Sequence, residues 1–281
     1  VGAHDHRRRA GPFAPGGSVR VIGHRGAAGF APENTLPAIR HAVAVGADAV
    51  EVDLHATADG HLVLLHDDAV DRVTGGSGPV ESMTLSEARS LDAGYHFTPD
   101  RGRTYPFRGA GVHIPTLEEA MEASAPLPVV AEVKTGRAAA ALDRAFADGE
   151  LDPSRVLVGG FGREAVDRAA RLAGWRCATP DQLRPYVLLS KVGLGRLPAG
   201  RAPDVDAIMV PERRGLVRVV TRRFVERARR HGIGVYVWTV NEPRDMRRLL
   251  GMGVEGLISD FPGRARRIVD EISHGRPAAE E

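Results

Sequence analysis

Cysteine, lysine and aromatic residues are the scarce components of this 281-residue chain, and each scarcity excludes something. With Cys177 as its one thiol, the chain can form no internal disulfide, so nothing demands an oxidising compartment and a cytoplasmic location is the expectation. No apolar run is long enough to cross a bilayer, which leaves no transmembrane segment. The basic stretch His4 to Arg9 leads into the Gly/Pro-rich Gly11 to Gly17 and not into an apolar core, so it does not read as an intact signal peptide. Aromatics are 5% of the residues, the formal net charge is +2, and the arginines are interspersed with Asp and Glu. That pattern argues against a nucleic-acid partner.

Lysine is the scarcest cation: of 38 Lys plus Arg residues only Lys134 and Lys191 are lysine. Where arginine is the default, a lysine beside Glu132 suggests a crowded site that takes a compact ammonium and not a planar guanidinium.

What is present is a succession of apolar strands and amphipathic helices. The strands are expected at Val19 to Gly23, Ala47 to Leu54, Pro128 to Val133, Arg155 to Gly160, Trp175 to Ala178, Ala207 to Val210, Gly234 to Trp238 and Gly256 to Ser259. Helical spacing of Leu and Val marks Leu36 to Val45, Glu164 to Leu172, Thr221 to His231, Pro243 to Gly251 and Gly263 to Ser273. Glycines at 46, 174, 232 and 251 fall where left-handed helix caps are needed. Eight βα units in series predict an α/β fold of the TIM (β/α)8 barrel type. The stretch from His61 to Pro115 is too long for a βα loop and is expected to be a small subdomain inserted after the second strand, over the barrel mouth. Residues 1–18 then form a flexible basic tail, 19–273 the barrel with its insertion at about 61–115, and 274–281 a C-terminal tail.

The chemistry concentrates in the first half. His24-Arg25-Gly26, Glu51-Val52-Asp53, His66-Asp67 and Ala131-Glu132-Val133-Lys134 place two histidines around three carboxylates. On a strand, alternation puts Glu51 and Asp53 on one face, and Glu132 can complete an oxygen cage for a hard cation. Three acids converging in a barrel mouth repel one another without such a cation.

With Pro32-Glu33-Asn34-Thr35, Val237-Trp238-Thr239-Val240-Asn241 and Gly256-Leu257-Ile258-Ser259-Asp260, these segments resemble, in order, the motif series of the glycerophosphodiester phosphodiesterase family, over about Val19 to Pro262. The resemblance implies a TIM barrel with an insertion after its second strand, hydrolysing glycerophosphodiesters to glycerol 3-phosphate and an alcohol with a divalent metal. By motif position it implies His24 and His66 as the acid–base pair, Glu51, Asp53 and Glu132 as metal ligands, and Arg25 and Lys134 as cations on the phosphate side. Gly159-Gly160-Phe161 and Thr179-Pro180-Asp181 depart from the family pattern and bear on pocket shape.

An all-oxygen ligand set suits Mg²⁺ or Ca²⁺, with Mn²⁺ as the alternative. Trp238, at the C-terminal end of a strand, is a candidate for lining the mouth against the substrate, since that end carries the site in such barrels. Glu33 is a candidate for supporting the site, Asn34 and Thr35 read as caps of the first helix, and Asp260 as a cap of the last. His4-Asp5-His6 mimics a metal pair in a tail, and the arginine run 218–230 reads as a solvated face with weak membrane-surface contact as the alternative. Two further readings compete with the main one: a related barrel of the phospholipase D type acting on lysophospholipids or sphingolipids, which turns on whether Tyr95 to Phe97 and Phe107 make an apolar rim or pack inward, and a catalytically silent barrel that binds phosphate esters. Oligomeric state is not legible.

Overall fold

The computed structural model describes residues 12–191 and 203–274. In chain order its elements are β1 (Arg20–Gly23), α1 (Leu36–Ala44), β2 (Ala49–Ala56), β3 (Leu62–Leu64), α2 (Leu85–Ser90), α3 (Leu117–Ala123), β4 (Val129–Val133), α4 (Gly136–Ala147), β5 (Val156–Gly160), α5 (Arg163–Ala169) and β6 (Trp175–Arg176). They continue as α6 (Pro180–Lys191), β7 (Ala207–Pro211), β8 (Arg213–Arg214), β9 (Val217–Arg218), α7 (Arg222–Arg230), β10 (Gly234–Trp238), α8 (Pro243–Leu250), β11 (Gly256–Ser259) and α9 (Pro262–His274). Each of the eight strands expected from the sequence is present, within a few residues at the ends.

Those eight pair in parallel in the order β6-β5-β4-β2-β1-β11-β10-β7. The circle closes through single bonds flanking a Cys177–Ala207 bridge, with Ala178 N donating to Ala207 O at 2.9 Å and Asp206 N to Arg176 O at 2.9 Å. The chain is therefore a TIM barrel. Alternation sorts each strand. Val50, Val52 and Leu54 of β2 face outward into an apolar layer with Ile39 of α1 and Leu142 of α4, while Ala49 faces the interior with Ile22, Val130, Leu157 and Ile258. By the same period Glu51 and Asp53 point inward, at the C-terminal end of the barrel.

The segment between β2 and α3 turns back on the barrel. Its strand β3 runs antiparallel to β2, pairing Leu54 with Leu64, and Val63, Leu65, Val70, Val80, Ala88 and Ile114 make a separate small core. Thr84 and Thr116 start α2 and α3 with reciprocal capping boxes to Glu87 and Glu119.

Three expectations are corrected. Phe13, assigned to a flexible tail, is 1% exposed: its ring sits edge-on to Trp175 and Tyr236 at 6.3 and 5.9 Å and fills the N-terminal end of the barrel. Gly46 and Gly232 have the positive φ of left-handed caps, but Gly251 has φ −64°, the left-handed position after α8 being Gly253. Gly174 is instead a close approach, since a Cβ there would lie 2.9 Å from Ser154 O. In the arginine run, Arg227 is 4% exposed and stacks on Tyr186 at 4.7 Å, so the face is not solvated throughout. His4-Asp5-His6 lies outside the described residues.

Phe13→Ala should cost about 3–5 kcal/mol, the usual range for removing a buried aromatic ring. Urea unfolding checks it; a loss below about 1 kcal/mol would mean the ring is dispensable to the barrel.

Candidate active site

The loop after β1 is bent by its own sequence. Arg25 has φ +49° and Gly26 φ +85°; a Cβ on Gly26 would lie 2.7 Å from the α1 backbone at Ala38 and Ile39, so glycine is required there. The bend aims the Arg25 N–H at Glu51, whose Oε2 accepts at 2.8 Å. The Arg25 side chain pairs with Glu33 through Nη1 at 2.7 Å and with Asp53 through Nε at 3.2 Å.

Asn34, expected as a cap, does something else. At φ +57° and 2% exposed, it donates Nδ2 to Asp53 Oδ2 at 2.8 Å and accepts from the Asp53 N–H at 3.1 Å. The residue before α1 is Thr35, whose hydroxyl bonds Pro32 O instead of the helix N–H groups. Glu33 bridges Arg25 and Arg72.

Register brings the third carboxylate in: Asp53 of β2 stands opposite Glu132 of β4. Carboxylate oxygens of Glu51, Asp53 and Glu132 all lie within 4.8 Å of one another. Lys134, on the same face of its strand as Glu132, places Nζ between Glu132 and Asp53, the latter at 2.7 Å. Burial and then the Asp53 charge push the Glu51 carboxyl up to about 8. Burial alone would raise Asp53 too, but Lys134 and Arg25 hold it below its ordinary value. Two buried acids and the half-buried Glu132, set against two cations, therefore leave Glu51 under-compensated. An all-oxygen donor set with that deficit fits a hard divalent cation.

The histidines are held alike. His24 Nδ1 donates to Asp260 Oδ1 at 2.6 Å, which keeps the proton on Nδ1 and leaves Nε2 towards Glu51, 4.0 Å away. Burial opposes its charge, but the Asp260 bond and the Glu51 charge outweigh it, so the His24 pKa is raised. Asp260 in turn accepts from Asn241 Nδ2 at 2.6 Å, and Asn241 Oδ1 accepts from Ser259 and from the Asp260 N–H. Asp260 thus spends its carboxylate on His24 and Asn241. His66 stands at the base of the inserted segment with Nδ1 2.6 Å from Asp67 Oδ1.

His24, Arg25, Glu51, Asp53, His66, Glu132, Lys134 and Trp238 all line one cavity of about 1010 Å³. The rest of its lining is mixed: Leu183, Val187 and Leu188 of α6, Met209, and Val217 and Val219 at the β8–β9 hairpin are apolar, while Arg184 of α6 and Arg213 and Arg214 of β8 are cationic. Phe161, left exposed after Gly159-Gly160, lies 5.9 Å from Lys134 Nζ. Tyr95 to Phe97 and Phe107 do not line this cavity. Phe97 and Phe107 pack against each other at 5.3 Å within the insertion, and Tyr95 lies under Arg108 at 4.2 Å.

Asp260, Asn241 and Arg72 were not singled out from sequence as supporting groups. The first two belong to motif segments, so a signal existed; what was missing is that β11 neighbours β1, which sets Asp260 beside His24.

The glycerophosphoryl diester phosphodiesterase family model matches residues 24–264. A glycerophosphodiester phosphodiesterase of Caldanaerobacter subterraneus subsp. tengcongensis is 32% identical over 252 residues, covering 86% of this chain and 94% of its own. Among solved structures, the glycerophosphoryl diester phosphodiesterase domain of a Mycobacterium tuberculosis protein superposes with a TM-score of 0.76 at 22% identity, covering 89% of this chain and 99% of that one. An Oleispira antarctica phosphodiesterase in complex with the product sn-glycerol-3-phosphate superposes at 0.69 with 25% identity, over 89% and 96% of the two chains. Fold and likeness define a TIM-barrel phosphoric diester hydrolase. Within that class the chain belongs to the glycerophosphoryl diester phosphodiesterase family.

Proposed function

We propose that this chain hydrolyses glycerophosphodiesters to glycerol 3-phosphate and an alcohol, with Glu51, Asp53 and Glu132 holding a divalent cation and with His24 and His66 moving the protons. The observation that carries this reading is the convergence of two aspartate-oriented histidines and a tight carboxylate trio in one cavity. The Oleispira protein's bound product supports the glycerol phosphate half of the substrate. Mg²⁺ or Ca²⁺ suits the ligand set, with Mn²⁺ as the alternative. Bound there, the cation supplies charge that offsets the phosphate and the negative charge growing on it in the transition state.

The chain's own residues supply the rest. Arg25 and Lys134 hold the phosphate side of the cavity with positive charge. One histidine takes the proton of the attacking oxygen while the other gives a proton to the alkoxide as the P–O bond to the alcohol breaks; water as nucleophile gives glycerol 3-phosphate directly, whereas attack by the neighbouring glycerol hydroxyl gives a cyclic phosphate that water then opens. His66, beside the inserted segment that would cover the departing alcohol, is assigned as the acid and His24 as the base. Trp238 borders the organic part of the substrate. We place the chain in the cytoplasm, which its single buried thiol supports; no helix among the described residues is long and apolar enough to cross a membrane. Release of glycerol 3-phosphate from a panel of glycerophosphodiesters, with and without EDTA, tests the reading. No release from any of them would sink it.

The apolar Leu183, Val187, Leu188, Val217 and Val219, which line the cavity together with Arg184, Arg213 and Arg214, favour a second reading, a lysophospholipid as the diester. Equal or faster cleavage of lysophosphatidylcholine than of glycerophosphocholine would establish it.

Lys134→Met keeps the aliphatic stem and deletes one charge from the phosphate side. In the presence of cation, kcat/KM should fall on the order of 10²-fold, as when a single charge-stabilising donor is lost. Thermal unfolding should move by only a few degrees, because Arg25 still faces Asp53. A loss of stability with no loss of rate would make the lysine structural.

A further inference from the structure

Arg72 lies five residues after Asp67, on the inserted segment, and joins groups that belong to different parts of the fold. Its Nε donates to Asp67 Oδ2 at 2.5 Å, while Nη1 and Nη2 donate to the two oxygens of Glu33 at 2.8 and 2.7 Å. Asp67 holds His66 with its other oxygen, and Glu33 Oε1 also accepts from Arg25. One guanidinium therefore closes an unbroken run from His66 through Asp67, Arg72 and Glu33 to Arg25, and on to Asp53. The loop that presents it is fixed from below: Val70, Thr74 and Val80 are buried, Val70 N bonds Gly78 O at 3.1 Å, and the Thr74 hydroxyl bonds Val70 O at 3.0 Å.

We infer that Arg72 is a positioning residue, which holds His66 through Asp67 in register with Arg25 across the joint between the insertion and the barrel. The side chain is 47% exposed, and ion pairs so open to water add little to stability, so a purely structural purpose is a poor account of three aligned donors. The hydrogen bond from Arg72 pulls the Asp67 carboxyl down to about 2, so that Asp67 remains an ionised acceptor for His66 Nδ1–H at any pH where the protein works. That bond keeps Nε2 free for the substrate. Lysine cannot replace the fork: one ammonium cannot give a parallel pair to Glu33 and a third bond, in a fixed plane, to Asp67.

The kinetic part of this inference rests on the role proposed for His66; the spectroscopic part does not. In the cation-loaded full chain, Arg72→Lys and Arg72→Gln should each lower kcat about 10–100-fold, the range usual for groups that orient a site residue, with KM within a few-fold and little change in melting temperature. His66→Ala combined with Arg72→Gln should be no slower than His66→Ala alone, because the two act through one step. The ¹⁵N spectrum of the His66 ring should show one neutral tautomer, protonated at Nδ1, in the native chain and a mixture in Arg72→Gln. A wild-type rate for Arg72→Lys, or losses that multiply in the double variant, would overturn the inference. If His66→Ala alone keeps full rate, the acid–base reading has failed instead; the tautomer then decides, an unchanged ring spectrum in Arg72→Gln refuting the positioning role and a mixed one upholding it.

Discussion

Replacing either His24 or His66 by alanine should lower kcat/KM on a glycerophosphodiester by on the order of 10²–10⁴-fold, the usual contribution of a general acid or base. The double variant should be little worse than the worse single one, because proton removal and proton delivery serve one transition state. The two residues are separable by the leaving group. A nitrophenyl ester departs without protonation, so it should rescue the variant that lacks the acid and leave the other impaired. With His66 as the acid, His66→Ala is the variant rescued. The aspartate bonds add a second signature: Asp260→Asn keeps the shape beside His24 but removes the ionised acceptor that holds its proton on Nδ1. It should therefore lose rate even though His24 remains. Equal losses for both histidine variants on both substrates would mean that neither is a dedicated acid, and the two-histidine scheme would have to be given up.

How far the sequence could be read depended on whether a feature is carried by one strand or by two. The inward face of β2 needs only alternation, and Glu51 and Asp53 lie on it as the period requires. The eight parallel strands are buried on both sides and so appear as apolar runs, which made the barrel legible even at β6, where two residues and a bridge suffice to close the circle. Groups set by closure were not legible. Asp260 meets His24 across 236 residues of chain, and nothing in a local pattern names that partner, so the carboxylate read as a helix cap. Arg72 and Glu33 meet across 39 residues in an irregular segment with no periodicity to follow. Phe13 reads as part of a tail because its neighbours are glycine, proline and alanine; its anchoring depends on Trp175 and Tyr236, which the barrel brings beneath it. The place of Tyr95 to Phe97 and Phe107 was open for a related reason. Phe97 and Phe107 pack against each other inside the insertion, and the apolar part of the cavity lining comes from α6 and the β8–β9 hairpin, where Leu and Val are interspersed with Arg184, Arg213 and Arg214.

The largest loss should follow removal of a carboxylate from the trio. Glu51→Gln and Asp53→Asn should each abolish turnover, and EDTA should do the same to the native chain in a way that added Mg²⁺ or Ca²⁺ reverses, since among the described residues no further carboxylate lines the cavity to replace a hard-cation ligand. Their stabilities should part in opposite directions when measured without cation. Glu51 is the carboxyl that burial and the Asp53 charge push up, so replacing it by a neutral amide relieves repulsion and should raise the melting temperature. Asp53 is the carboxyl that Lys134, Arg25 and Asn34 hold down, so replacing it takes one of two carboxylate partners from each cation, leaving Lys134 with Glu132 and Arg25 with Glu33, and should lower the melting temperature. Adding cation should then stabilise the native chain and neither variant, a readout independent of activity. If both variants melt below the native chain to the same degree, Glu51 is as well compensated as Asp53 and the site has no deficit for a cation to fill. If the chain keeps full activity in EDTA and shows no thermal shift with any divalent ion, the three acids are a structural cluster, and the charge on the phosphate must be met by the cationic side chains of the cavity, Arg25 and Lys134 first among them.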